Sequence, residues 1–326
     1  MPVVQAILVG ARVRERLLVT DFGARVIAAV SGAVYLRDRG GEILWIAPPE
    51  SAPHRRRILA PLSQFGCRVG TTCAGSGGLL RVGDDLAIAW DGAGTWSAKE
   101  CSPAGIAREE VARTLGAGIA LLSREKRPRG LARIVLGRLR EADWHARSYP
   151  RDRQGEWLNT VGTLAERAAK SEQTRDSDAL FNAARSLVGL GEGLTPSGDD
   201  FLGGFLFAQR HWERLEPSEA WVDWDCWEAL LAEASHLTNA ISLCLLGDLA
   251  EGHGPGPLHD LVCEVLGGGR HAAIAEHAAC LVQIGESSGW DILAGLAAGM
   301  GASAFDDPPL EPARTDREAR ACSAGK

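Results

Sequence analysis

A chain of 326 residues with 45% hydrophobic side chains is long enough for one large domain or two ordinary ones. It can bury a substantial core, which excludes wholesale disorder. The formal net charge of −7 excludes the basic face that nucleic-acid binding needs. The basic clusters Arg55–Arg57 and Arg124–Arg129 are short, and charge patterning reads them as solvated loop and helix-end charge.

The N-terminal stretch MPVVQAILVGARVRERLL has no basic leader and too short an apolar run for a signal peptide. The first hundred residues read as strands. RVIAAVSGAVYLR is broken at Ser31-Gly32, EILWIA follows the turn RDRGG, and GGLLRVGDDLAIAWDG gives two more short strands. These turn signals fit a small antiparallel sheet or barrel, with APPESAPHRRR as an insertion. From Pro103 the texture becomes helical. SPAGIAREEVARTLGAGIALLSREK has early acids and late bases, and RIVLGRLREADWHA, TVGTLAERAAKSE and SDALFNAARSLVGL continue the pattern. Further helical runs occupy 201–305, including one long reading from Ser218 to Gly252. The fold class expected is α+β, with β-rich residues 1–102, a helical domain over 103–305 and a disordered tail over 306–326.

The most membrane-like segment, Trp290–Phe305, falls short of the ~20 residues of a span. Eight cysteines without a CxxC pair read as buried reduced thiols. A soluble, cytoplasmic protein is the expectation.

The chemistry concentrates in GLGEGLTPSGDDFLGG, residues 189–204. Its frame recurs late in the chain: SGDDFLGG at 197–204 matches SGWDILAG at 288–295 in Ser, Gly, Asp, Leu and Gly. Ser197 with Asp200, and Ser288 with Asp291, have capping-box spacing; Thr195 as N-cap before Pro196 is an equivalent reading. Capping alone does not require Gly189, Gly191, Gly193 and Gly198 together. Such density suits backbone that approaches a ligand, and free N–H groups at a helix start suit an anion. Adjacent Asp199 and Asp200 would repel a bare anion unless a donor or a cation such as Mg²⁺ intervenes. The candidate catalytic residues are therefore Asp199, Asp200 and Asp291, the same three that would hold any metal. Candidate binding residues are Gly191, Gly193, Thr195, Ser197, Gly198, Ser288, Gly289 and Asn239.

These two motifs resemble the AllH-like family of bacterial proteins, long known only as a domain of unknown function and including a subunit of oxamate carbamoyltransferase. The resemblance implies carbamoyl transfer between oxalurate and phosphate in allantoin and purine breakdown. It also implies AllG-like and FdrA-like partner subunits. It assigns no site residue. Glu192 stands where the family usually has proline, and Glu286 precedes the second SG where histidine is commoner.

Two other chemistries remain open on the same residues: a metal-dependent amide or N-glycosidic hydrolase, and a non-catalytic binding or scaffold subunit. CRVGTTCAGSGGLLRVG lacks the ending of a phosphate loop, and no GxSxG or dinucleotide fingerprint occurs. His253 and His259 flank a Pro-Gly loop. His236, Thr238, Asn239 and Ser242 are polar positions of the long helical run, with His236 and Asn239 on one face. Trp221, Trp224 and Trp227 form a packing stripe or a partner surface.

Overall fold

The computed structural model describes residues 3–19, 21–30, 32–61, 67–84, 86–140, 162–163 and 167–302. Its strands are β1 (Val3–Gln5), β2 (Leu8–Gly10), β3 (Phe22–Val30), β4 (Ala33–Asp38), β5 (Ile43–Ala47), β6 (Arg57–Leu59), β7 (Thr72–Ser76), β8 (Leu79–Val82), β9 (Leu86–Ala89) and β10 (Gly94–Trp96). They form one sheet in the order β1-β9-β8-β7-β3-β4-β5-β6-β2-β10. The Ala6 amide donates to Ala89 and the Ile7 amide to Leu59, so the chain steps from one margin of the sheet to the other between β1 and β2. The sheet thereby curls round on itself.

The α+β layout matches the sequence. The sheet is mixed, however: β1 pairs with β9, β2 with β10 and β5 with β6 in parallel. The segment read as an insertion is a crossover. Its prolines 48, 49 and 53 preclude a hairpin, and it returns the chain as β6 alongside β5. The RDRGG turn is held by Asp38, whose Oδ1 accepts the amides of Gly40 (2.8 Å) and Glu42 (2.9 Å). Helix α1 (Ala11–Leu17), absent from the sequence reading, places Val13 and Leu17 in the barrel core with Leu36, Leu44, Ile46 and Ile88.

β5 is buried at all five positions. Leu44 and Ile46 face the barrel core, while Ile43, Trp45 and Ala47 pack outward with Ile241 of the helical region. That second face decides where the barrel meets the helices.

The helices are α2 (Arg108–Glu125), α3 (Ala132–Arg140), α4 (Ser177–Leu187), α5 (Ser197–Leu215), α6 (Trp224–Glu233), α7 (Ala240–Ala250), α8 (Gly256–Leu266), α9 (His271–Leu281) and α10 (Ser288–Gly299). α2 starts after Ala107 rather than at Ser102-Pro103, with Glu109 and Glu110 in its first turn favoured by the helix dipole. The long run from Ser218 is divided into α6, a 3-10 turn (Ala234–His236) and α7. Asn239 ends the interruption by capping α7, accepting the amides of Ile241 (3.0 Å) and Ser242 (3.1 Å). His236 and Asn239 therefore do not share a helix face. RIVLGRLREADWHA after Arg140, residues 160, 161 and 164–166 of TVGTLAERAAKSE and the tail from 306 lie outside the described residues, while 162–163 and 167–174 are helical as expected.

α5 is buried without a break from Ser197 to Gln209 and lies directly against α10. The final glycine of each repeated motif makes this possible: a Cβ on Gly204 would overlap the Ile292 carbonyl oxygen, and one on Gly295 that of Phe201. Alanine normally stabilises a helix interior relative to glycine by ~1 kcal/mol. Here the obstacle is backbone, so Gly295→Ala should instead destabilise by about 1–3 kcal/mol, read from a lower urea midpoint. A raised midpoint would disprove the close approach.

Three further expectations are corrected. Cys101 and Cys263 form a disulfide, which ties the segment before α2 to α8; Cys226 and Cys280 are exposed thiols rather than buried ones. Arg55 and Arg56 are not solvated: both pair with Asp248 of α7, and Arg56 is buried. His259 is a buried residue of α8 whose Nε2 accepts the Gly254 amide, not a loop residue. Trp227 is buried and Trp221 and Trp224 pack against the helical core, so the tryptophans pack inward. No helix among the described residues is long and apolar enough to cross a membrane.

Candidate functional site

The glycine-rich loop is a fold requirement before it is anything else. Gly189, Gly191 and Gly193 have φ of +74°, +136° and +92°. A Cβ on Gly191 would lie 2.6 Å from the Ser197 amide nitrogen, so the loop rests on the first turn of α5. Asp199 fixes this arrangement. Its Oδ1 accepts the Gly189 amide (2.7 Å), and its Oδ2 accepts the hydroxyls of Thr238 (2.5 Å) and Ser242 (2.6 Å). Asn239 adds a second tie by donating to the Leu194 carbonyl at 2.8 Å. Asp199 and Asn239 thus spend their hydrogen bonds inside the protein, joining the loop to the start of α7.

Neither capping box forms. The N-cap positions of α5 and α10 are Pro196 and Ser287, and neither helix has a side-chain cap. The carboxylates turn across to the other helix instead. The Thr195 and Ser288 hydroxyls are hydrogen bonded to each other at 2.8 Å, so the two matched helix starts meet. Asp200 of the first motif faces the Ser288 and Thr195 hydroxyls, and Asp291 of the second faces Ser197 and Ser287. Asp291 Oδ1 also accepts the Leu131 amide at 2.6 Å, just ahead of α3. Gly130 permits this, since a Cβ there would fall on the Asp291 carboxylate. Three helix starts converge on two carboxyl groups.

Both carboxyls are buried, and the Oδ2 of each has no hydrogen-bond partner among the described residues. Burial pushes Asp200 well above the usual carboxylate range, and the nearby Asp291 charge adds to it against the opposing pull of the Ser288 and Thr195 hydroxyls. Burial raises Asp291 to about 7, although the Ser197 hydroxyl and Leu131 amide oppose the shift. Both groups are thus shifted toward the protonated form relative to an ordinary carboxylate, and Asp291 is poised to exchange a proton near neutrality. Thr195 and Ser288 are half-buried and lie on the approach to them.

This has a measurable pH signature. Unfolded, Asp291 titrates at its ordinary 3.8; folded, at about 7. Its contribution is therefore full below pH 3.8 and is lost as pH rises through about 7. Asp291→Asn removes the ionisation and keeps an acceptor for Leu131. The melting temperature of the variant relative to the unaltered protein should climb between pH 4 and pH 8. A flat or falling difference would contradict the raised pKa.

Of the site residues expected from sequence, Thr195, Ser197, Ser288, Asp200 and Asp291 come together. Gly198 and Gly289 sit in the same first turns but serve packing: a Cβ on either would overlap a carbonyl oxygen, of Leu187 and Leu281 respectively. Gly193 and Glu192 are exposed on the loop. The Gly130-Leu131 start of α3 was missed; the signal for it was a Pro-Arg-Gly break before an apolar run.

No curated protein and no solved structure matches the chain. The span from Leu187 to Met300, which runs from the glycine-rich loop through the second motif, matches the family model described as oxamate carbamoyltransferase subunit AllH. Over residues 187–300, both helix starts included, the chain is thus similar to the AllH family that its motifs resemble.

Proposed function

We propose that the chain is a carbamoyltransferase component that binds a small carboxylated or phosphorylated metabolite where α5 and α10 begin. The observation that carries this is the direct meeting of the two motifs through Thr195 and Ser288, with Asp200 and Asp291 buried behind them. In this reading the hydroxyls of Thr195, Ser197 and Ser288 donate to the substrate. Protonated Asp200 donates to a developing oxyanion, and Asp291 takes or returns the proton at the oxamate nitrogen, the atom whose bond to the carbamoyl carbon forms or breaks. Asp199 and Asn239 position the loop, and the Gly191 and Gly193 backbone covers the substrate. The substrates would be of the oxalurate, oxamate and carbamoyl phosphate class, and AllG-like and FdrA-like subunits would complete the enzyme.

The test is reconstitution with those partner subunits and a measurement of carbamoyl phosphate formed from oxalurate and phosphate. Activity that needs this chain and fails with Ser288→Ala supports the reading; full activity without the chain overturns it. The two unpartnered carboxylate oxygens also suit Mg²⁺, which would favour the hydrolase alternative. In that case hydrolysis of an amide substrate by the chain alone would rise with Mg²⁺ and vanish with chelator.

A further inference from the structure

The barrel presents a row of three side chains that the two-helix site does not account for. Tyr35 of β4 is directly opposite Trp45 of β5, and Trp45 is opposite Arg57 of β6. Their rings and charge stack along the row: Tyr35 and Trp45 have centroids 5.7 Å apart, and the Arg57 guanidinium carbon lies 5.4 Å from the Trp45 ring centre. This is the outward face of β5, and it packs with Leu194 of the glycine-rich loop and Ala240 at the start of α7. The row therefore abuts the residue next to Thr195. Burial is the main reason the Tyr35 phenol is raised; Arg57 opposes the shift, and Tyr35 is near enough to Asp200 for the carboxylate charge to add to it.

Arg57 is unlike its neighbours. Arg55 and Arg56 are neutralised by Asp248, whereas among the described residues Arg57 forms no ion pair. It donates to the Ala52 carbonyl, and its Nε is buried without a partner. Burial lowers its pKa to about 10, with Tyr35 the one group pulling upward. A desolvated guanidinium without a counter-charge is costly, and its planar fork matches a carboxylate or phosphate.

We infer that the barrel completes the ligand site, with Arg57 and Tyr35 binding the anionic end of a small oxyanion, carboxylate or phosphate. This rests on the two-helix site proposed above and extends it beyond the span that matches the family. The Trp45 ring supports the guanidinium by a cation–π contact. The Arg57 cation would give an anion a counter-charge on the barrel side of the site.

Calorimetric titration of the full chain with oxamate, and separately with inorganic phosphate, tests this. Arg57→Met should weaken the anion that binds there by roughly 10–100-fold, and Tyr35→Phe by roughly 2–10-fold. The probe affected identifies carboxylate or phosphate. Arg57→Lys keeps the charge and the stem but loses the fork, and should still weaken binding by roughly 5-fold or more, so the test survives if Arg57→Met fails to fold. Unaltered affinity for both probes in the Arg57 variants overturns the inference. If at the same time Ser288→Ala and Asp200→Asn weaken binding, the two-helix site stands without the barrel. If only the barrel variants lose affinity, the composite site is overturned, and if the unaltered protein binds neither probe, both readings are.

Discussion

Asparagine at position 291 should slow carbamoyl transfer by roughly 10²–10⁴-fold in the reconstituted enzyme, the usual contribution of a positioned acid or base. The argument is electrostatic. Asp291 is fully buried and raised to about 7, so near neutral pH it populates both protonation states. Asparagine preserves size and the acceptor for Leu131 but cannot exchange a proton. The loss should fall on kcat more than on KM, because the group acts on charge that moves in the transition state. Asp199→Ala makes the contrast. Its carboxylate accepts from Gly189, Thr238 and Ser242, so its removal should unhook the glycine-rich loop, lower the melting temperature and raise KM. A variant at 291 with unaltered kcat would reduce Asp291 to a tie between α10 and α3.

Asp248→Ala should cost about 3–5 kcal/mol of stability, the range for breaking a buried ion pair from one side. Asp248 is 1% exposed on α7 and accepts from Arg56 Nε (2.7 Å) and Nη2 (2.8 Å) and from Arg55. Burial alone would raise its pKa, but the Arg56 and Arg55 hydrogen bonds prevail and the net direction is down. Its contribution is therefore present above the ordinary 3.8 and lost as pH falls below it. Arg56 also pairs with Glu42, which pairs with Arg12, so the network runs from the barrel into the helices. Removing the carboxylate leaves Arg55 with Glu251 alone and Arg56 with Glu42 alone. Urea unfolding followed by tryptophan fluorescence would measure it, and a loss under about 1 kcal/mol would place the pair with ordinary surface bridges. The double variant Asp248→Ala with Arg56→Met should recover part of the loss, since the more deeply buried of the two cations is gone.

The repeat S-G-x-D-x-L-x-G was legible because identical residues in register need no tertiary information. Its glycines told of close approach, and its serines and aspartates of a helix start. What local spacing could not give was the partner of each carboxylate. Capping-box spacing is the same whether the aspartate turns to its own helix or to a neighbour, and only the contact of α5 with α10 through Gly204 and Gly295 decides it. The α3 start at Leu131 was hidden for the same reason, being 160 residues from Asp291 in the chain. Arg55–Arg57 read as solvated charge because their neutralising partner is far along the chain, on α7, and because β6 is too short to carry a periodic signal. The strands were found where alternation or hairpin turns marked them and missed in β1, β2 and β10, each of three residues.

The central claim is that the two motifs form a single ligand site, and a double-mutant cycle on oxamate affinity tests it most directly. The variants are Thr195→Val in the first motif and Ser288→Ala in the second, measured alone and together with the partner subunits present. A shared site predicts that each single variant weakens oxamate by roughly 5–30-fold and that the double variant is little worse than either. Losses that simply multiply, or an affinity indifferent to both changes, would contradict it.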